Sequence, residues 1–180
     1  PESAFRVNSF PSMAACNNPS SPYFGHIYIV YADNRFGDGD IFFKRSEDGG
    51  ETWPGTFTRR INDDAQGNGK DQFFPWVSVD ENCKVNVSFY DRRDDPANLR
   101  FHLYFSHSTD SGATFSQNAR VSTVASTNAQ FLGGFVGDYL QNAATIAGNA
   151  EYHHDLDRAM TLWMDTREGC LLYTSDAADE

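Results

Sequence analysis

Basic residues are scarce. Fourteen Lys and Arg stand against 25 Asp and Glu, and the formal net charge is −11. So acidic a surface repels phosphate, which disfavours nucleic-acid binding and docking to anionic membranes. Long hydrophobic runs are missing too. The longest apolar stretch, residues 26–32, has strand length, and nothing approaches the roughly 20 residues of a membrane span. Cysteine is limited to positions 16, 83 and 170, without a CxxC pair or a His/Cys spacing suited to zinc. Neither a disulfide framework nor a metal site is indicated, and the redox compartment stays open. No Gly-x-Ser-x-Gly element or P-loop is present, and nothing suggests a cofactor. The chain starts Pro1-Glu2-Ser3, without Met; no signal peptide is expected within these residues, and a start of this kind does not report on one in the full-length protein.

Aromatic side chains are plentiful, at 14% of 180 residues, which suits a folded domain and excludes a disordered chain. The last eleven residues, 170–180, read CLLYTSDAADE. They resemble the read-through translation of a sequencing adapter, with Gly169 fitting the junction. They are set aside as a non-native tail, expected to have no packed role. Cys16 and Cys83 then remain.

Self-similarity organises the rest. Ser46-Glu47-Asp48-Gly49-Gly50-Glu51-Thr52-Trp53 matches Ser108-Thr109-Asp110-Ser111-Gly112-Ala113-Thr114-Phe115, both reading S-x-D-x-G-x-T-aromatic. Each is followed by a basic-aliphatic-polar step, Arg60-Ile61-Asn62 and Arg120-Val121-Ser122, which also occurs early as Arg6-Val7-Asn8. A second recurring element, D-x-R, closes alternating strand-like runs at Asp33-Asn34-Arg35, Asp91-Arg92-Arg93 and Asp165-Thr166-Arg167. A repeat of about 60 residues suits one four-stranded antiparallel sheet. In the second copy, strands A to D are expected at 74–79, 84–90, 100–107 and 119–122, with strand C of the first copy at 40–45. The expected strand count is one, four, four and two, over residues 1–10, 11–62, 63–122 and 123–169.

The repeated motif has the chemistry of a tight C–D turn. Gly50 and Gly112 supply positive φ. Asp48 and Asp110 accept backbone hydrogens two residues on, and Ser46, Ser108, Thr52 and Thr114 close the network. Trp53 and Phe115 are expected to bury between adjacent sheets. The oxygen count is too low for a calcium loop, so the turns read as structural.

This motif resembles the Asp-box, or BNR repeat, of the sialidase superfamily. The text around Asp71-Gln72-Phe73-Phe74-Pro75-Trp76 and 90–96 is similar to bacterial sialidase-like proteins. The resemblance covers residues 4–169. It implies an all-β, partial β-propeller of the six-bladed sialidase-like type, with about two and a half blades of four-stranded antiparallel sheet. It also implies an exo-α-sialidase-type glycoside hydrolase acting on terminal sialic acid or related acidic sugars. The full-length protein would be secreted or placed at the cell envelope, with a glycan as substrate or ligand. The chain by itself is expected to be inactive, since a pocket assembled from several blades cannot form from two and a half.

In an A-B-C-D meander, the A–B and C–D turns share one edge, and the B–C loops and D–A crossovers share the other. The D-x-R elements therefore lie with the long polar crossovers at 62–73 and 123–137, where binding sites are expected. Asp33, Arg35, Asp91, Arg93, Asp165 and Arg167 are candidate ligand-facing rim residues, since arginines receive carboxylates bidentately. The motif also fits a salt bridge between sheets, and its repetition with the sheet favours that. Asp138 and Tyr139 break the repeat and are an asymmetric candidate pair; packing at a crossover is the alternative. His153-His154-Asp155 reads as loop.

Phe5-Arg6-Val7-Asn8 matches only the start of the superfamily's Arg-Ile-Pro element, and no Tyr/Glu nucleophile couple is visible, so catalytic residues stay unassigned. A non-catalytic Asp-box propeller binding glycan or protein at the envelope is the alternative function.

Overall fold

The computed structural model describes residues 9–127, 140–146, 157–165 and 171–176. The architecture is all-β, built on antiparallel sheets. The first sheet runs β1 (Ser12–Ala15), β2 (Ile27–Asp33), β3 (Asp40–Ser46) and β4 (Arg59–Arg60) in sequential order, with a 3-10 turn at Gly55–Phe57. The second runs β5 (Gln72–Val79), β6 (Val85–Asp91), β7 (Arg100–Ser108) and β8 (Ala119–Arg120), and β9 (Ser126–Thr127) adds to the far end of β7. A third has β10 (Gln141–Ile146), β11 (Asp157–Asp165) and β12 (Leu171–Asp176).

The strands follow side-chain alternation. In β2, Tyr28, Val30 and Ala32 are buried and the residues between them are half-buried, the pattern of a sheet with one packed face. β6 is buried throughout, because it has a neighbour on each side. Val85, Val87 and Phe89 join Tyr28, Val30, Ile41 and Phe43 of the first sheet in one core. Tyr90, Phe73, Phe101 and Leu103 meet Leu140 in a second core. Asn142 Nδ2 then donates to Trp76 O at 3.1 Å and to Ser88 Oγ at 2.8 Å, tying β10 to the second sheet.

β5 carries a bulge. Its register with β6 shifts between Phe73 and Trp76. Phe74 takes φ 50, and Pro75, which cannot donate to a ladder, occupies the irregularity.

The four strands expected in the second repeat coincide with β5 to β8 to within two residues at each boundary, and strand C of the first repeat coincides with β3. Two expectations need correction. The third repeat was expected to stop after two strands, and the tail at 170–180 to be unpacked. Instead Leu171–Asp176 pairs antiparallel with β11, Tyr173 opposite Trp163. Strand pairing uses backbone groups, and the tail's Leu, Tyr and Thr suit a strand laid along the open edge of β11. β9 was not foreseen. The strand expected around Arg6 lies outside the described residues.

Cys16 and Cys83 are joined by a disulfide with Cα atoms 5.1 Å apart. It links the A–B connections of the first two sheets, and both cysteines are fully buried. Sequence alone left this pairing open.

Candidate functional site

The two S-x-D-x-G-x-T turns have the same hydrogen bonds, atom for atom. In the first, Ser46 Oγ donates to Asp48 Oδ1 at 2.6 Å and accepts from Gly50 N at 2.9 Å. Asp48 accepts from Thr52 N at 2.9 Å and from Thr52 Oγ1 at 2.5 Å. In the second, the corresponding distances are 2.7, 2.8, 2.8 and 2.6 Å through Ser108, Gly112, Asp110 and Thr114. The Ser46 and Thr52 hydroxyls hold the Asp48 carboxyl down to about 2. At Asp110, burial pushes upward, but the Thr114 and Ser108 hydrogen bonds prevail and hold the carboxyl at about 2. Phe115 packs edge-on against Phe43 of the first sheet, with ring centroids 5.0 Å apart. Trp53 is half-buried and donates from its indole to Gly50 O at 3.0 Å. In both turns the serine, aspartate and threonine side chains bond to one another and to the turn's own backbone.

These turns lie beside the A–B connections, as the meander requires. Asn18 Nδ2 donates to Glu81 O at 2.8 Å, and the Arg45 guanidinium donates to Ser111 O. The opposite face gathers the B–C loops and the 61–71 crossover. Gly39 N donates to the Asp71 carboxylate at 3.0 Å, and Asp71 N donates to Asn98 Oδ1 at 3.0 Å.

The D-x-R arginines differ on this face. Arg93 donates from Nε to Asp91 Oδ2 at 2.8 Å and from Nη2 to Asn118 Oδ1 at 2.8 Å. Its Nη1 reaches Asp63, on the crossover that leaves the first sheet. The guanidinium also lies 4.6 Å from the centre of the Tyr104 ring. Burial pulls Arg93 down and raises Asp91, but Asp91 and Asp63 together leave the guanidinium more firmly charged than an ordinary arginine. Asp63 and Asn118 exchange two further bonds, Asp63 N to Asn118 Oδ1 and Asn118 N to Asp63 Oδ2, each 2.9 Å. This is a bridge between sheets.

Arg35 makes a smaller set of contacts. Nε and Nη2 donate to the two oxygens of Asp33 at 3.0 and 2.8 Å, and Nη2 also reaches the Tyr31 hydroxyl at 3.4 Å. The guanidinium stacks 4.2 Å from the centre of Phe42. The Arg35 side chain is 42% exposed, against 17% for Arg93. Asp165 ends β11, its backbone alone being described; Arg167, Asp138 and Tyr139 lie outside the described residues.

Sequence reading missed a polar network behind this rim. Asp40 accepts from Arg60 Nε at 2.6 Å and from Asn62 Nδ2 at 2.7 Å. Asn62 also donates to Gln72, which in turn donates to Asp91 Oδ1 at 3.1 Å. All four of Asp40, Asn62, Gln72 and Asp91 are fully buried. The signal available was a polar residue within each apolar stretch, at Asn62 after Ile61 and Gln72 before Phe73.

A tyrosine–carboxylate couple is also present. Tyr104 donates to Asp94 Oδ2 at 2.8 Å, and Arg120 lies 3.5 Å from the same oxygen. Burial, with the adjoining Asp94 charge, pushes the phenol far above its usual range, which opposes use as a nucleophile. A small, open cleft lies at the start of the innermost strands, lined by Phe10, Pro11, Ser12, Phe74, Pro75, Trp76 and Leu140. Among the described residues no group of three or more His, Cys, Asp or Glu could hold a metal, and no helix is long and apolar enough to cross a membrane.

The fold and this rim define an all-β architecture of packed antiparallel sheets, with the repeated turns on one face and the long loops on the other. No protein-family model matches the chain, and no curated protein does. It is similar in fold to the crystal structure of a protein of unknown function from Dyadobacter fermentans, with 16% identity over 93% of this chain and a TM-score of 0.50. The match covers 50% of that protein, so this chain spans half its length.

Proposed function

We propose that the chain forms blades of an Asp-box β-propeller of the sialidase superfamily, and that the whole protein is an exo-α-sialidase-type glycoside hydrolase acting on terminal sialic acid or a related acidic sugar. The supporting observation is the identical hydrogen-bonding of the turns at Ser46 and Ser108, one on each of two successive sheets. Ligand recognition belongs on the opposite face, with the D-x-R elements. The Cys16–Cys83 disulfide supports an oxidising location, at the cell envelope or outside the cell.

A second reading is a non-catalytic propeller that binds glycan or protein. It is favoured by the state of Tyr104, whose phenol is pushed well above its usual range by burial and by its hydrogen bond to Asp94. Two measurements separate the readings: turnover of a fluorogenic sialoside, and binding of a sialoside, each on this chain and on a longer homologue. The hydrolase reading expects turnover in the homologue and none in this chain. Binding without turnover in both selects the second reading, and neither binding nor turnover in both rejects glycan recognition.

A further inference from the structure

We propose that the uncovered face of the first sheet seats the third sheet of a second copy of this chain, so that two copies pack head-to-tail into one ring. The proposal rests on the blade reading argued above and adds a partner to it.

The repeat shows what this face is built for. In the second sheet Phe89 lies opposite Tyr104, and their rings stack with centroids 6.3 Å apart. Arg93 lies over Tyr104, and Val85, Val87 and Phe89 are fully buried against the first sheet. In the first sheet Tyr31 lies opposite Phe42 at the corresponding positions, with ring centroids 5.9 Å apart and Arg35 over Phe42. Ile27 and Ile29 stand where the second sheet has Val85 and Val87. The first sheet meets the second through its other side, and among the described residues no sheet lies on this one. Ile27, Ile29 and Tyr31 are only half-buried, and Met13, opposite Ile29, is 67% exposed. A packing face left without its sheet is an apolar patch that association would cover.

The occupant follows from the register. Three residues before the aspartates that end β2, β6 and β11 stand Val30, Ser88 and Leu162, and their partners on the innermost strands are Ser12, Trp76 and Gln141. The hydrogen bonds between successive innermost strands join that position to the one after it on the next sheet. Val77 N donates to Ser12 Oγ at 3.1 Å, and Asn142 Nδ2 donates to Trp76 O at 3.1 Å. The next step in the series joins Gln141 to Met13. Both are exposed, Gln141 on the side of β10 turned away from the buried Asn142. Within one chain the second sheet stands between them, so a second copy supplies the contact. An unlike contact of this kind closes a ring or runs on as a filament. Two copies bring six sheets, within the range of about four to eight at which propellers close.

The test uses the whole chain carrying Cys170→Ser, which leaves the Cys16–Cys83 disulfide in place. Light scattering after size exclusion at micromolar concentration should give one species with the mass of two chains, twice 20.1 kDa. Tyr31→Lys sets a charge in the contact and should weaken association at least about ten-fold while keeping the circular dichroism of the parent. Met13→Cys and Gln141→Cys, made in separate chains and mixed, should be bridged by a short bismaleimide, and neither should be bridged to itself. Both changes in one chain should give a covalent pair and no ladder. One-chain mass at every concentration overturns the proposal, whether residues 1–8 or solvent then cover the face. Bridging of Met13→Cys to itself overturns the head-to-tail arrangement, and a ladder overturns closure. Trp76→Cys with Asn142→Cys in one chain separates these failures from failure of the blade reading. An internal bridge there leaves the reading standing, and no bridge in a folded variant removes the reading and the proposal together.

Discussion

At the residue scale, the two repeated turns differ where one has Gly49 and the other Ser111. Both positions take positive φ, 72° and 61°. Glycine adopts that conformation freely; serine is held there. The Ser111 hydroxyl lies 2.8 Å from His26 Nδ1 and 2.9 Å from the Tyr28 hydroxyl, so the second turn is anchored to the first sheet. The next residue is tighter still. A Cβ on Gly112, at φ 80°, would collide with the ring of Phe43, whereas one on Gly50 meets only the flexible tip of Ile27 at 3.4 Å. Gly112→Ala should therefore cost about 2–4 kcal/mol and Gly50→Ala about 1 kcal/mol, read by urea denaturation. Equal costs would contradict the packing described. Asp110→Ala should cost about 1–2 kcal/mol by releasing Thr114 and Ser108. Acid should act in two stages. Burial lowers His26, His102 and His107, so the unfolded chain binds protons first and stability declines as pH falls below about 6.5. Asp48 and Asp110, held at about 2, add stability above the ordinary carboxylate range that is lost as pH falls from about 4 toward 2. A urea midpoint constant from pH 7 to pH 4.5 would exclude the histidine stage.

Elements were legible where local chemistry dictates them. The alternation through Tyr28, Val30 and Ala32, the repeated turn residues and the D-x-R strand ends are all short-range signals, and the strands fall where those signals place them. Sorting loops onto two faces was legible too, because antiparallel order leaves little choice. The partners of the rim arginines were not. Arg93 and Arg35 look alike in sequence, and what separates them is Asp63 and Asn118, 30 and 25 residues from Arg93 in the chain. The Cys16–Cys83 pair and the Asn62–Gln72 contact are hidden for the same reason: each joins two sheets, and no periodicity reports it. The bridge makes a prediction about coupling. Asp63 and Asn118 bond each other twice and share Arg93, so Asp63→Ala and Asn118→Ala should not be additive. A double-mutant cycle should give an interaction of about 1 kcal/mol. Strict additivity would mean that the crossover and β8 are held independently.

For the whole molecule, the decisive interface lies between the first two sheets, and it is fastened at both edges. On the loop-rich edge the fasteners are polar: Arg93 with Asp63, and Gln72 N donating to Gly39 O at 2.6 Å. On the turn edge the fasteners are Arg45 with Ser111 O, and the disulfide. The Tyr28–Phe43–Phe89 core fills the space between. The disulfide spans 67 positions, and closing a loop of that length in the unfolded chain should stabilise the fold by about 4 kcal/mol on the chain-entropy account. That is a large share of the stability of an ordinary domain. Both cysteines are buried, so reductant should reach them only after the sheets part. Cys16→Ser with Cys83→Ser should therefore lower the urea midpoint strongly. Wild type in dithiothreitol should hold its native signal for as long as unfolding is slow, then lose it at the unfolding rate. Reduction at the rate of an exposed thiol pair, with no change in stability, would mean that the two sheets are held together by the core and the arginine bridge alone.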